Sequence, residues 1–196
     1  MTVVGFFDFF RPKKAVAVFI DNHNVENAGL NTPDGRYLIR WDRIVSPIKN
    51  RTRDAHTIFA GAFTGVYGDN QMLIERWLTN ARRRWAEHGY ELHTMKEQDI
   101  DSLMVSHMWK AAAEAYDAKY KELHMVIVSG DHIFAEAYEH IRNQYRGKLN
   151  LKLSVYSWNE SLSWHLRELA ERGRIYPLDV IKDLRRPRRK REAVAS

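Results

Sequence analysis

The chain of 196 residues contains no cysteine. That absence excludes disulfide bonds, thiolate metal sites and a cysteine nucleophile. It is typical of proteins from a reducing compartment, so we expect a cytoplasmic protein. No apolar run approaches the about 20 residues that a membrane-spanning helix needs. At about 150 residues per domain, the length predicts one domain with a sizeable core.

The central part of the chain also lacks net charge, although the whole chain carries a formal +6. Residues 1–14 contribute a net +2 and residues 183–196 a net +4, so residues 15–182 are neutral. The excess positive charge belongs to the two ends and does not by itself indicate a nucleic-acid-binding domain. These boundaries predict an apolar-basic N-terminal segment (1–14), one domain (15–182) and a basic C-terminal tail (183–196).

The N-terminal segment combines an apolar stripe with basic residues. Val3, Phe6, Phe7 and Phe10 have the i, i+3, i+4, i+7 spacing of one helical face, and three cations follow them. A segment of this kind can lie in an anionic membrane surface, which would make residues 3–14 a membrane contact. The interpretation that we prefer is a first turn packed on the domain's own core or on a partner.

The C-terminal tail contains a block of basic residues that we predict to contact nucleic acid. Like charges at this density repel each other, favour disorder and attract phosphate. The alternative is a solvated tail with no dedicated partner. The block consists of Arg185, Arg186, Arg188, Arg189, Lys190 and Arg191.

Strand and helix patterns alternate along the middle of the chain, which predicts an α/β fold, a three-layer α/β/α sandwich around a mostly parallel central sheet. Continuous apolar runs that end in polar residues are typical of buried parallel strands. Apolar residues at helical spacing separate these runs. The predicted strands are 15–20, 56–63, 91–95, 125–128, 149–158 and 175–178, and the predicted helices are 70–87, 102–118, 133–144 and 161–170, with a short helical stripe over 41–48.

Carboxylates follow three of these strands. Asp21 comes directly after the first strand, Asp99 and Asp101 follow the third, and Asp131 lies just beyond the fourth. Ligands of open parallel sheets bind outside the carboxyl ends of the strands. If these strands are neighbours, the carboxylates converge, and their repulsion favours a bound cation. Oxygen ligands without thiolate suit Mg²⁺ or Mn²⁺, which can activate water to attack a phosphodiester.

Each of these carboxylates also has a structural interpretation. Asp101 and Asp131 could cap the helices that follow them, and Asp21 could form an Asx turn. Taken singly, capping is the simpler explanation, whereas convergence of all of them favours a cation site. The sequence contains no phosphate-binding loop, dinucleotide fingerprint or nucleophile elbow, so the carboxylates are the main catalytic candidates.

Several motifs, in their order along the chain, resemble the NYN domain, a family of PIN-like nucleases. The resemblance covers most of residues 15–180. It implies a parallel-sheet α/β/α fold, an acidic cluster and metal-dependent cleavage of RNA, with single-stranded DNA as an alternative substrate. The motifs are Phe19-Ile20-Asp21-Asn22-His23-Asn24-Val25, Lys96 with Asp99 and Asp101, Val128-Ser129-Gly130-Asp131, and the closing stretch from Leu162 to Asp179.

The resemblance implies a role for each matching residue. Asp21 would be a metal ligand, and Asn24 would orient the loop after the first strand or a phosphate. Either Asp99 or Asp101 would be the second carboxylate ligand, and Asp131 would be the third. Ser129 would bond near Asp131 and contact the nucleic acid. The implied cofactor is Mg²⁺ or Mn²⁺.

The sequence departs from the family pattern at two places. Ile133 stands where the family usually has a further aspartate after Ser-Gly-Asp, and residues 105–107 contain no carboxylate where the family usually has one. Nearby His23, His107 and His132 could compensate as ligands, although packing and loop roles are the simpler interpretation. These departures favour an alternative function, a catalytically degenerate domain that binds RNA or a protein partner and is localised by its two ends.

Overall fold

The computed structural model describes residues 13–30, 37–68, 70–170 and 174–187. Strands and helices alternate along most of this length. The strands are β1 (Lys14–Asp21), β2 (Tyr37–Ile39), β3 (His56–Val66), β4 (Glu91–Lys96), β5 (Glu122–Val128), β6 (Asn150–Ser157), β7 (Ile175–Pro177) and β8 (Arg185–Pro187). The helices are α1 (Asn22–Leu30), α2 (Asp42–Arg51), α3 (Gln71–Glu87), α4 (Ile100–Asp117), α5 (Ile133–Gln144) and α6 (Trp164–Leu169).

Six strands form the central sheet in the order β4-β3-β1-β5-β6-β7, and every neighbouring pair is parallel. The middle strand β1 is apolar on both faces, and its residues 15–20 are all buried. A strand with this pattern is stable only where helices cover both sides of the sheet. The predicted parallel α/β architecture is therefore confirmed.

Helices cover both faces of the sheet. Alternate residues of β1 point to opposite sides, because side chains alternate along a strand. Phe19 belongs to the buried cluster that contains α4, α5 and α6 residues, whereas Ile20 belongs to the cluster with α1, α2 and α3 residues. The three-layer sandwich follows directly from this division. The carboxyl ends of the parallel strands lie together at one edge of the sheet.

Three elements were missed by the sequence patterns, namely α1, β2 and β8. Helix α1 has a weak apolar period, and Val25 is the residue that it contributes to the buried clusters of the described chain. Both β2 and β8 have only three residues. The predicted helix over 161–170 is shorter, because α6 begins after Ser163, whose Oγ accepts a hydrogen bond from the Leu166 amide at 3.3 Å.

Part of the basic tail is an ordered strand. Residues 185–187 pair antiparallel with β2, and the Arg185 guanidinium carbon lies 4.4 Å from the centroid of a Trp158 ring. The disorder expected for the whole basic block is therefore wrong for these residues. The block's remaining members, Arg188, Arg189, Lys190 and Arg191, lie outside the described residues, as do residues 1–12.

Within the described ranges, no helix is both long enough and apolar enough to cross a membrane.

Candidate metal and nucleic-acid site

Asp21 is the last residue of β1, and its side chain is buried at the carboxyl edge of the sheet. Its Oδ1 accepts a hydrogen bond at 2.9 Å from the Asn24 amide, three residues on, so Asp21 caps the start of α1 instead of forming the Asx turn that the sequence suggested. Its Oδ2 accepts a hydrogen bond from the Ser129 hydroxyl at 2.9 Å. Both oxygens of this carboxylate are therefore held in place by groups from two different strand ends.

The loop after β5 is joined to the same network. The Gly130 amide donates to Asn24 Oδ1 at 3.1 Å, and the Asp131 amide donates to Ser129 Oγ at 3.3 Å. A Cβ on residue 130 would lie 2.1 Å from the carbonyl oxygen of Ser161, so only glycine fits. Asn24 and Ser129 thus connect the ends of β1 and β5 through side-chain hydrogen bonds.

Asp101 lies in the first turn of α4. Its negative charge acts on Asp21, and the charge of Asp131 acts on it. Burial raises the pKa of Asp21 to about 6, and the negative charge of Asp101 adds to that rise. Burial also raises the pKa of Asp101, with the charge of Asp131 as the second cause. The charge of Asp101 therefore disfavours ionisation of Asp21, and the charge of Asp131 disfavours ionisation of Asp101.

Asp99 ends a single 3₁₀ turn before α4 and occupies the N-cap position, where its side chain makes no capping hydrogen bond. Of the two carboxylates that the sequence left open, Asp101 is the one whose charge raises the pKa of Asp21. The position of Asp101 inside the helix also removes it from the capping role that was its alternative interpretation. The electrostatic effect on Asp21 favours Asp101 over Asp99 as the second carboxylate, and this choice stays a prediction.

Asp131 contacts the start of a helix, as the capping interpretation suggested, and it also keeps an oxygen that a cation could bind. Its Oδ1 accepts a hydrogen bond from the Ile133 amide at 3.2 Å, so it stabilises the start of α5. The same oxygen lies 3.1 Å from Nδ1 of His132, which is exposed. Its second oxygen, Oδ2, has no hydrogen bond or ion pair among those found in the described chain, and its side chain is about one third exposed.

The donor set at this edge consists of carboxylate and amide oxygens, which suits a hard divalent cation. Nevertheless, no group of three His, Asp or Glu side chains in the described ranges is already arranged to hold a metal ion. Asp21, Asp101 and Asp131 fit such an ion chemically, since an added positive charge would relieve their mutual repulsion.

The three histidines occupy different environments. His107 packs against Phe59 at 5.1 Å and His93 at 4.4 Å between ring centroids, and burial lowers its pKa. His23 contacts the hydroxyl of Tyr67 at 2.8 Å. The packing role expected for His107 agrees with these contacts, and Nδ1 of His132 lies 3.1 Å from Oδ1 of Asp131.

A cavity of about 410 Å³ was missed by the sequence patterns, and none of Asp21, Asp101 and Asp131 lines it. It lies between α1, the end of β3 and α3, and its lining includes Asn22, next to Asp21. Its exposed aromatic residues are Tyr67 and Trp77. The sequence pattern placed Trp77 and Leu73 on the core-facing side of a helix. Both side chains are exposed in the structure, which the periodicity did not predict.

These features define an α/β sandwich of the parallel-sheet class with an acidic site at the carboxyl edge. The family model for the NYN domain matches residues 15–172. The chain belongs to the NYN domain family, which is a family of PIN-like nucleases. The resemblance seen in the sequence motifs is thereby confirmed.

Comparison with solved structures supports the fold. The chain is similar to a crystal structure of a protein of unknown function from Vibrio parahaemolyticus, with a TM-score of 0.57 and 18% sequence identity. The similarity covers 86% of this chain and 95% of the other. Among curated proteins, none matches this chain in sequence. At this identity the likeness concerns the fold alone.

Proposed function

We propose that this protein is a metal-dependent nuclease that hydrolyses RNA phosphodiester bonds at the carboxyl edge of its sheet. The observation that carries the proposal is the hydrogen-bond network that joins Asp21 to the Asp131 loop through Asn24 and Ser129, with the charge of Asp101 acting on Asp21. Membership of the NYN domain family supports a nucleic acid as the partner. Oxygen-only ligands support Mg²⁺ or Mn²⁺ as the cofactor.

Asp21, Asp101 and Asp131 would hold the divalent ion, and Asp99 is the weaker candidate for the second position. When bound, the ion supplies an activated water and stabilises charge on the phosphodiester under attack. Asp21 is the best-placed ligand, because the Asn24 amide and the Ser129 hydroxyl fix both of its oxygens. A carboxylate fixed in this way needs little reorganisation when the ion binds.

Asn24 and Ser129 act as positioning residues in this proposal. Asn24 uses its backbone amide for Asp21 and its side-chain oxygen for Gly130, so it holds the two strand ends in register. Ser129 donates to Asp21 and accepts from the Asp131 amide. Both residues therefore set the separation between the first and the third carboxylate.

The test compares cleavage of a 5′-labelled single-stranded RNA by the full chain and by Asp21→Asn, with Mn²⁺ or Mg²⁺ added. We expect the substitution to lower the cleavage rate at least about 100-fold, because outer-shell partners of metal ligands alone are worth 10- to 100-fold. The matched control is Asp117→Asn, an exposed aspartate at the far end of α4. Single-stranded DNA of the same sequence tests the polymer preference.

Folding is checked by circular dichroism, because asparagine keeps the shape of the buried Asp21 side chain. Cleavage by Asp21→Asn at the wild-type rate would disprove the proposed site. Cleavage that persists in EDTA would disprove the metal requirement.

A second candidate function is RNA binding without cleavage. Ile133 occupies the position of a carboxylate in the family pattern, and no preformed three-ligand group exists in the part of the chain described. A domain of this kind would bind the labelled RNA in the presence of Mn²⁺ and release it intact. Binding together with an unchanged length of the RNA, as judged on a denaturing gel, is the result that would favour this function over the nuclease.

A further inference from the structure

The 410 Å³ cavity has one apolar side and one polar side. Trp77 and Leu73 of α3 and Tyr67 after β3 form the apolar side. Asn22 and Glu26 of α1 contribute polar groups. The volume of about 410 Å³ lies in the range of small-molecule sites.

The aromatic residues of this cavity are exposed to an extent that core packing does not explain. Trp77 is 42% exposed and Tyr67 is 48% exposed. The Tyr67 hydroxyl lies 2.8 Å from a ring nitrogen of His23, and their ring centroids are 5.3 Å apart. This contact ties Tyr67 to α1. The Asn70 side chain, which accepts from the Leu73 amide at 3.2 Å, fixes the start of α3 and thereby the position of Trp77.

The charge of the cavity decides which part of a nucleic acid it suits. Among the described residues that line it there is neither lysine nor arginine, and Glu26 is acidic. Phosphate binding relies on cations or backbone amides, so a phosphate is disfavoured here. An uncharged aromatic ring that stacks on an indole and bonds to amide groups along its edge matches the lining.

We propose that this cavity binds an unpaired nucleobase of the RNA whose phosphodiester lies at the carboxylate cluster. The base stacks on Trp77, and side chains such as Asn22 and Asn27 bond to its edge. This inference rests on the proposed nucleic-acid partner of the site. Asn22 and His23, which directly follow Asp21 in the chain, line the cavity, so we place the base and the phosphate at the carboxylates on one strand.

The experiment measures the affinity of the full chain for a fluorescein-labelled octanucleotide RNA by anisotropy in Ca²⁺, a divalent cation that also takes oxygen ligands, and a denaturing gel checks that the RNA stays intact. We expect Trp77→Ala to weaken binding about 5- to 150-fold, the range found when a base-stacking aromatic residue is replaced by alanine. Trp77→Phe should keep most of the affinity. The matched control is Trp164→Ala, because Trp164 is 66% exposed and lies in α6, outside the cavity.

A second oligonucleotide separates base stacking from a purely structural effect. An octanucleotide with abasic sites at its four central positions should bind the wild type as weakly as Trp77→Ala binds the intact one. Trp77→Ala should then bind both oligonucleotides equally. Equal affinities of Trp77→Ala and Trp164→Ala for intact RNA would overturn the proposal. It would also be overturned if Trp77→Ala bound the abasic oligonucleotide more weakly than the intact one.

The outcome for the base site is distinguishable from the outcome for the nuclease. If the wild type cleaves RNA with Mn²⁺ but Trp77→Ala binds like the wild type, the base site is disproved and the nuclease stands. If the wild type cleaves nothing and Trp77→Ala still weakens binding, the base site stands and the domain is an RNA binder. Absence of any RNA binding by the wild type overturns the base site.

Discussion

The central sheet has an amino edge, where its parallel strands begin, and a carboxyl edge, where they end. Carboxylates at these two edges have opposite environments. At the amino edge, Lys14 lies 3.1 Å from Asp54 and lowers the pKa of its carboxyl through a hydrogen bond and its positive charge. Lys152 lies 2.7 Å from Glu122 at the start of β5. These carboxylates are neutralised by neighbouring lysines within the protein itself.

At the carboxyl edge, the carboxylates lack such partners. Burial raises the pKa of Asp21, and no lysine or arginine of the described ranges forms an ion pair with Asp21, Asp101 or Asp131. Among the described residues, the ion pair at the carboxyl edge is the one between Asp131 and His132, whose imidazole is charged only when protonated. This difference between the edges supports the divalent cation that we propose for the carboxyl edge.

The cavities at the two edges differ in the same sense. The one at the amino edge measures about 600 Å³, more than the 410 Å³ at the carboxyl edge, and four cations line it: Lys121, Arg142, Arg146 and Lys148. No carboxylate lines it among the described residues. Cavity size alone would therefore select the amino edge, whereas the proposed metal site lies at the carboxyl edge.

Replacing a glycine at each edge gives the largest contrast. In Gly130→Ala the new Cβ would meet the Ser161 carbonyl oxygen at 2.1 Å, which only a backbone shift can relieve. We expect a loss of about 3 kcal/mol in unfolding free energy. RNA cleavage should also be lost, because Ser129 and Asp131 move with residue 130. Chemical denaturation and the cleavage assay measure the two effects.

The matched substitution at the amino edge is Gly147→Ala. Gly147 has no atom within 4 Å of the added Cβ, but its φ is +73°. We expect a cost of about 1–2 kcal/mol from the left-handed backbone alone, with cleavage unchanged. Loss of cleavage in both variants would show that the effect of Gly130→Ala arises from general instability.

Removing the Ser129 hydroxyl should have a smaller, pH-dependent effect. In Ser129→Ala, Asp21 loses a hydrogen bond and the Asp131 amide loses its acceptor, which should lower stability by about 1–3 kcal/mol at pH 7.5. The raised pKa of Asp21, about 6, means that folding favours the protonated carboxyl, so this residue's contribution to stability falls as pH rises from about 4 to 6. At pH 5 the carboxyl of Asp21 is largely protonated, and the loss should be smaller.

Thermal unfolding in EDTA at pH 5 and pH 7.5 measures this difference. The matched control is Ser157→Ala, since Ser157 is equally buried and bonds to the Trp158 carbonyl and the Ser161 hydroxyl, neither of which titrates. The same destabilisation by Ser129→Ala at both pH values would contradict the ionisation assigned to Asp21.

The sequence predicted those features that hydrophobic runs determine. The run before Asp21 places that carboxylate at a strand end, and the run before Ser129 does the same for Asp131. The positions follow because parallel strands end at one edge. The choice between Asp99 and Asp101 required the structure, because it depends on where α4 begins, and helix boundaries are the least certain feature of a sequence pattern.

The cavity between α1 and α3 and the strand β8 both depend on contacts between segments that are distant in sequence. No local sequence pattern predicts such contacts. Trp77 has the spacing of a core residue, yet α3 leaves it exposed beside α1, which itself carried no clear helical signal. Arg185 belongs to a run of like charges, but it stacks on Trp158 because β8 pairs with β2. In both cases a contact between segments distant in sequence determined the structure, and the local sequence pattern gave the wrong prediction.

The smallest expected effect concerns which positive charges assist RNA binding. Deleting residues 188–196 removes a net charge of +3 beyond β8 and leaves the strand intact. Replacing Arg142, Arg146 and Lys148 by glutamine removes the same charge from the amino edge. We expect the deletion to reduce the slope of log affinity against log salt by about 1–2, as phosphate contacts in a single strand predict, and the triple variant to leave it unchanged within error. A larger change in the triple variant would place the RNA at the amino edge and overturn the assignment of function to the carboxyl edge, since counterion release reports only the phosphates that the protein neutralises.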